Sequence, residues 1–198
     1  MRNQEIYYYD ISEAFEQERF SGRFLGLLLE EMRRRKTREI LFLCIGTDRS
    51  TGDSLGPLTG YKLMEHNLVH GTVFGTLDQP VHAMNIDSYM KEIKKKFSKQ
   101  IVVAVDASVG NAEHIGYVTL GRGALKPGLG VRKELAAVGD LFITGIVGSS
   151  KNGDPWMLQS VRLSMVMLLA ECISKSIVLG MNAVKNRVEN FYVRPTLF

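Results

Sequence analysis

The sequence predicts an α/β fold, a three-layer α/β/α sandwich around a mostly parallel sheet. Three observations lead there. Short apolar runs alternate with longer segments of helical spacing, the signature of βαβ units with helices on both sheet faces. The run Ile40–Ile45 stops at Gly46 and opens into a polar loop before a helical pattern, which reads as strand, loop, helix. With 198 residues, 45% of them apolar and 23% charged, the chain has an ordinary soluble composition and fits one α/β domain over residues 1–198. A domain of that size buries roughly 70% of its unfolded surface and folds without a metal or disulfide staple.

Taken in order, Ile11 to Arg35 carries apolar residues at helical spacing, including Phe20, Phe24, Leu27 and Leu28, and makes residues 1–36 an N-terminal helical segment. Gly22 and Gly26 weaken its continuity. The α/β core follows over residues 37–180. Its first strand is Ile40–Ile45, and a helix runs from Ser54 to Asn67 with Pro57 in the first turn, where its missing amide costs little. Gly71–Leu77 is a weaker strand, Ala83–Phe97 a helix, and Ile101–Val105 the third strand. Ile115–Leu120 and Leu141–Val147 complete a sheet of at least five strands. Asp154-Pro155 starts a long helix by an N-cap and a proline at the first helical position, continuing to Val178. Gly180 interrupts it, and residues 181–198 form a short last helix and a tail.

Composition narrows function. Net charge is +4, and two clusters, Arg33-Arg34-Arg35-Lys36 and Lys94-Lys95-Lys96, stand near helix ends, where cations complement the dipole. No aromatic residues interleave with them, so no specific nucleic-acid recognition is expected. Cys44 and Cys172 lie in a strand and a helix pattern without metal or redox spacing and read as reduced core thiols. No apolar signal core opens the chain, and no segment is expected to reach the length of a membrane span, which points to a cytoplasmic protein with no membrane partner.

The chemistry is expected at the strand ends. In an open parallel sheet, ligands bind beyond the carboxyl ends of the strands. A flavodoxin-like order makes the first and third strands neighbours, about 5 Å apart, bringing the Asp53 loop beside Asp106. Two such carboxylates can share a proton, and the pair can then activate water as base and acid. A plain helix cap is the structural alternative for Asp53, and a turn residue for Asp106. Asp48 and Arg49 could orient the pair or hold a substrate carboxylate, or else form a solvent-facing turn. Ser50, Thr51 and Ser54 could donate hydroxyl protons to the carboxylates. Gly128 and Gly130 would let backbone amides approach a bound carbonyl, or simply make a tight connection. His66, His70 and His114 read as surface histidines; His82, in a loop after Pro80, is the better placed of the four. No metal site and no cofactor are expected from the spacing.

Gly46-Thr-Asp-Arg-Ser-Thr-Gly-Asp-Ser-Leu-Gly-Pro57 and Ala104-Val-Asp-Ala-Ser-Val-Gly110 resemble the signature of the YyaC-like sporulation protein family over most of the chain. That family is similar to the germination protease of bacterial spores and, more distantly, to hydrogenase-maturation endopeptidases. The resemblance implies their three-layer fold, with Asp53 before Ser-Leu-Gly-Pro and Asp106 before Ala-Ser at the positions of the germination protease's catalytic pair. Lys126-Pro-Gly-Leu-Gly-Val-Arg-Lys-Glu-Leu135 is similar to that protease's Pro-Gly-x-Gly-Val loop. The implied activity is an aspartic-type endopeptidase of an endospore-forming bacterium, acting on a protein or peptide substrate such as a small spore protein. A non-catalytic peptide-binding role and a metal-assisted peptidase are the alternatives. The metal reading needs a third ligand, for which His114 is the substitute. The chain departs from the germination protease in being much shorter and in carrying Gly-Ser-Ser after Ile143-Thr-Gly-Ile-Val147.

Overall fold

The computed structural model describes residues 5–66, 68, 71–127, 135–149 and 157–192, the side chains of Met157 and of residues 187–192 aside. In chain order the elements are β1 (Ile6–Asp10), α1 (Ala14–Arg35), β2 (Ile40–Cys44), α2 (Leu55–Glu65), β3 (Gly71–Phe74), α3 (Ile86–Lys96), β4 (Ile101–Gly110), β5 (Tyr117–Arg122), β6 (Leu141–Ser149) and α4 (Leu163–Tyr192). One sheet runs β1-β5-β6-β4-β2-β3. Its four strands from β3 to β6 are mutually parallel, and β5 and β1 join antiparallel at one edge. The expected three-layer α/β/α sandwich with a mostly parallel sheet is the fold observed.

Strand alternation divides the core into two halves. Ile40, Phe42 and Cys44 of β2 and Val103, Val105 and Ala107 of β4 face α1, α2 and α4, whose Phe20, Phe24, Leu63 and Ile173 close the larger half. Leu41, Leu43, Val102 and Ala104 face the other way, against Ile86 and Ile93 of α3. All five residues of β2 are buried, which explains its unbroken apolar sequence.

The expected neighbours are neighbours. β2 pairs in parallel with β4, Leu43 opposite Ala104 and Cys44 opposite Val105. Four readings are corrected. Residues Ile6–Asp10 form a strand, not part of a helical segment: Tyr9 is buried while Tyr8 is exposed, the period-two pattern of an edge strand. The third strand does not end at Val105 but continues to Gly110, because β6 still pairs with it after β2 has ended. Helix α4 passes through Gly180 unbroken, since the glycine lets the Phe24 ring of α1 lie against its backbone. That continuity makes Leu163–Asn186 long and apolar enough to cross a membrane by length and composition, against expectation; half of the stretch is buried in this fold. The Asp154-Pro155 helix start lies outside the described residues, and the described helix begins at Leu163.

Candidate active site

The loop between β2 and α2 is built backward over the end of its own strand. Ile45 continues the β2 line by donating its N–H to the Val105 carbonyl at 2.7 Å. The Gly46 N–H then donates to the Val81 carbonyl at 2.8 Å, and the Thr47 N–H to the Asp53 carbonyl at 3.1 Å, closing the loop. Gly46 has φ +141°, and a Cβ there would stand 1.9 Å from the Asp53 carbonyl oxygen. Gly56 meets the same demand from the other side, its missing Cβ leaving room for the Ile45 carbonyl at 2.0 Å. Gly46 and Gly56 of the motif are therefore set by backbone contact.

Asp53 lies in a short 3₁₀ turn, Gly52–Ser54, and is half-buried. Thr51 and Ser54, the N-cap residues of that turn and of α2, make no side-chain cap hydrogen bond. Burial pushes its pKa up, opposed by hydrogen bonding from the Thr47 backbone. Asp106 lies inside β4 with 5% of its surface exposed and accepts the Ala107 N–H on Oδ1 at 2.8 Å. Its pKa is raised well above the ordinary range, first by desolvation and then by the Asp53 charge. The two aspartates therefore sense each other: burial raises both, and the Asp53 charge raises Asp106 further.

His82 enters by the β3–α3 connection. Its backbone N–H donates to Asn85 Oδ1 at 2.8 Å, and its ring Nδ1 accepts the Met84 N–H at 3.3 Å. These bonds hold the imidazole on the β3–α3 connection. Asp48 and Arg49 are exposed, with the Arg49 N–H on Thr47 Oγ1 at 3.3 Å, so they lie at the outer side of the loop. Ser54 donates to the Thr51 carbonyl at 2.6 Å rather than to a carboxylate. Ser50 Oγ is buried without a hydrogen-bond partner among the described residues. His114 stands between the rings of Tyr8 and Tyr117, at 5.1 Å from each, on the antiparallel edge and not at Asp106. His66 is exposed at the end of α2. Gly128, Gly130, His70 and Trp156 lie outside the described residues. Among the described residues no three His, Cys, Asp or Glu side chains are close enough together to hold a metal ion. The residues present do not fit a three-ligand metal site.

A row of hydroxyls was not singled out from the sequence. Thr144 of β6 is the register partner of Asp106, and Thr119 of β5 is the register partner of Thr144. Thr144 Oγ1 is 2.8 Å from Ser108 Oγ and 2.7 Å from Thr119 Oγ1, and both threonines are buried. The available signal was a lone threonine within the apolar run Ile143-Thr-Gly-Ile-Val147.

Comparison with known proteins now places this geometry. Residues 12–176 match the family described as "Protein of unknown function (DUF1256)". The chain belongs to that family. It is 44% identical over 151 residues to the uncharacterized protein YyaC of Bacillus subtilis (strain 168), covering 76% of this chain and 74% of that one. Among solved structures it is similar to the [NiFe] hydrogenase maturation protease HycI of Thermococcus kodakarensis KOD1, with TM-score 0.51 and 20% identity, over 73% of this chain and 92% of that one. The structural likeness shows that the two chains share a fold.

Proposed function

We propose that this DUF1256 chain is an endopeptidase that hydrolyses a peptide bond with the Asp53–Asp106 pair. The observation that carries the reading is the asymmetry of the pair. Asp106 is buried inside β4 and its pKa is raised well above the ordinary range, whereas Asp53 is half-buried on a loop, with the Thr47 backbone opposing the rise of its own pKa. Unequal environments separate an acid from a base. Asp53 takes a proton from water as the water oxygen attacks the scissile carbonyl carbon, and Asp106 donates its hydrogen bond to the carbonyl oxygen. The Ala107 N–H occupies Asp106 Oδ1, leaving the other oxygen to carry that proton. Collapse of the tetrahedral intermediate breaks the C–N bond, and the proton gathered on Asp53 passes to the leaving nitrogen. No cofactor enters the scheme. The exposed Asp48 and Arg49 are assigned to substrate binding at the loop rim, together with Gly128 and Gly130.

The substrate class is a protein, and a small spore protein is the specific proposal, supported by the resemblance of the Asp53 and Asp106 motifs to the spore germination protease. The test is mass-spectrometric detection of cleavage when the purified protein meets spore-extract proteins, beside the Asp53→Asn/Asp106→Asn double variant. Specific fragments made by the wild type alone are expected. Fragments made equally by both proteins would remove the dyad mechanism, and fragments from neither would favour a peptide-binding role for the same crevice.

A further inference from the structure

A cavity of about 1140 Å³ opens at the amino ends of the strands, the opposite end of the sheet from Asp53. Leu29 and Met32 of α1 and Val184 of α4 give it an apolar floor. Its rim carries one exposed carboxylate, Glu39, against four cations: Arg33 and Lys36 from the end of α1, Arg38 from the lead into β2 and Lys99 from the lead into β4. All four are exposed, and none makes an ion pair among the described residues. Arg35 is different: Asp140 Oδ2 at 2.5 Å and the Ser98 carbonyl at 3.1 Å brace it as part of the wall. A helix C-terminus presents about half a negative charge, so four cations around one terminus exceed what the dipole of α1 can use.

We infer that this cavity is a docking site for an acidic, amphipathic peptide segment of a partner protein. Carboxylates of such a segment meet the rim, and its apolar side chains cover Leu29, Met32 and Val184. A nucleic acid fits less well, because among the described residues no aromatic ring lines the cavity to stack a base. The site is independent of the cleavage chemistry. Strand β2 alone separates the two ends by roughly 17 Å, taking about 3.3 Å per residue.

The test uses the full chain and a fluorescein-labelled peptide of alternating Glu and Leu, read by anisotropy. Saturable binding is expected, weakening by roughly tenfold or more between low and physiological salt, as an ionic rim demands. Arg33→Glu/Arg38→Glu/Lys99→Glu should abolish it, and Arg33→Gln/Arg38→Gln should weaken it, with thermal melts confirming that both fold. Asp53→Asn/Asp106→Asn should bind as the wild type does, which separates this site from the proposed active site. Three results would overturn the proposal: equal binding by the charge-reversed variant, equal binding of a Glu–Ser peptide without apolar side chains, or tighter binding of an oligothymidylate of equal charge.

Discussion

Asp106 couples the site to pH in two ways. Its folded pKa is raised, so between the ordinary carboxylate value of about 4 and that raised value the native state keeps a proton that the unfolded chain has lost. Stability therefore falls as pH rises through this window, and Asp106→Asn should remove that slope and gain on the wild type at the alkaline side. Urea midpoints measured across the window check it; parallel pH profiles for the two proteins would contradict the burial argument. Cleavage should follow a bell, its acid limb set by Asp53 losing its proton and its alkaline limb by Asp106 losing its own, and either Asn variant should lose roughly 10²–10⁴-fold in rate. Gly46→Ala places a Cβ 1.9 Å from the Asp53 carbonyl oxygen at a backbone angle that L-residues avoid. It should cost about 2 kcal/mol in urea unfolding and displace the catalytic loop. The nearness of the Asp53 loop to Asp106 was legible because β2 and β4 are adjacent parallel strands whose carboxyl ends lie side by side. Thr144 and Thr119 were not, because they acquire their partners only through strand order, which no local pattern encodes.

Helices and strands were legible where hydrophobic period and burial agree. β2 is buried on both faces and α1 buries one stripe, so both were recognised nearly to the residue. β1 was missed because an edge strand of five residues has too few alternations to stand out from a helical neighbour. Helix glycines misled for a different reason, since one residue type serves opposite needs. Gly22 and Gly26 have nothing within 4 Å of a built Cβ, so their sites in α1 are open. Replacing each with Ala should stabilise by roughly 0.5–1 kcal/mol, or about 2–4 °C per kcal/mol in a chain of this size. Gly180 instead holds Phe24 against α4, and an added Cβ would meet the ring at 3.0 Å. Gly180→Ala should destabilise by about 1 kcal/mol or more. Thermal melts of the three variants separate the two cases, and a lower Tm for the α1 variants would mean that those glycines serve something beyond helix backbone.

At the scale of the molecule, the end of the sheet opposite Asp53 and Asp106 is tied together by charge. Glu31 of α1 has 1% of its surface exposed and receives two guanidinium groups, Arg34 at 2.6 Å and Arg122 of β5 at 2.6 Å. Asp140, just before β6, holds Arg35 and also accepts the Val102 N–H of β4 at 2.9 Å. One helix end is thereby fastened to three strands, at the end where the basic cavity opens. Because Glu31 is buried, what matters is whether any cation remains beside it, not how many do. Arg34 is largely exposed and Arg122 partly so, and Arg34→Ala or Arg122→Ala alone should cost within about 1 kcal/mol, as the other arginine keeps the carboxylate paired. The double variant leaves a buried charge unpaired and should cost about 3–5 kcal/mol, well beyond the sum of the singles. A double-mutant cycle by urea unfolding measures that excess, and Glu31→Gln in the double background should recover much of it by removing the charge. Additive losses would mean that Glu31 is solvated in the variants, and that α1 is held to the sheet by apolar packing alone.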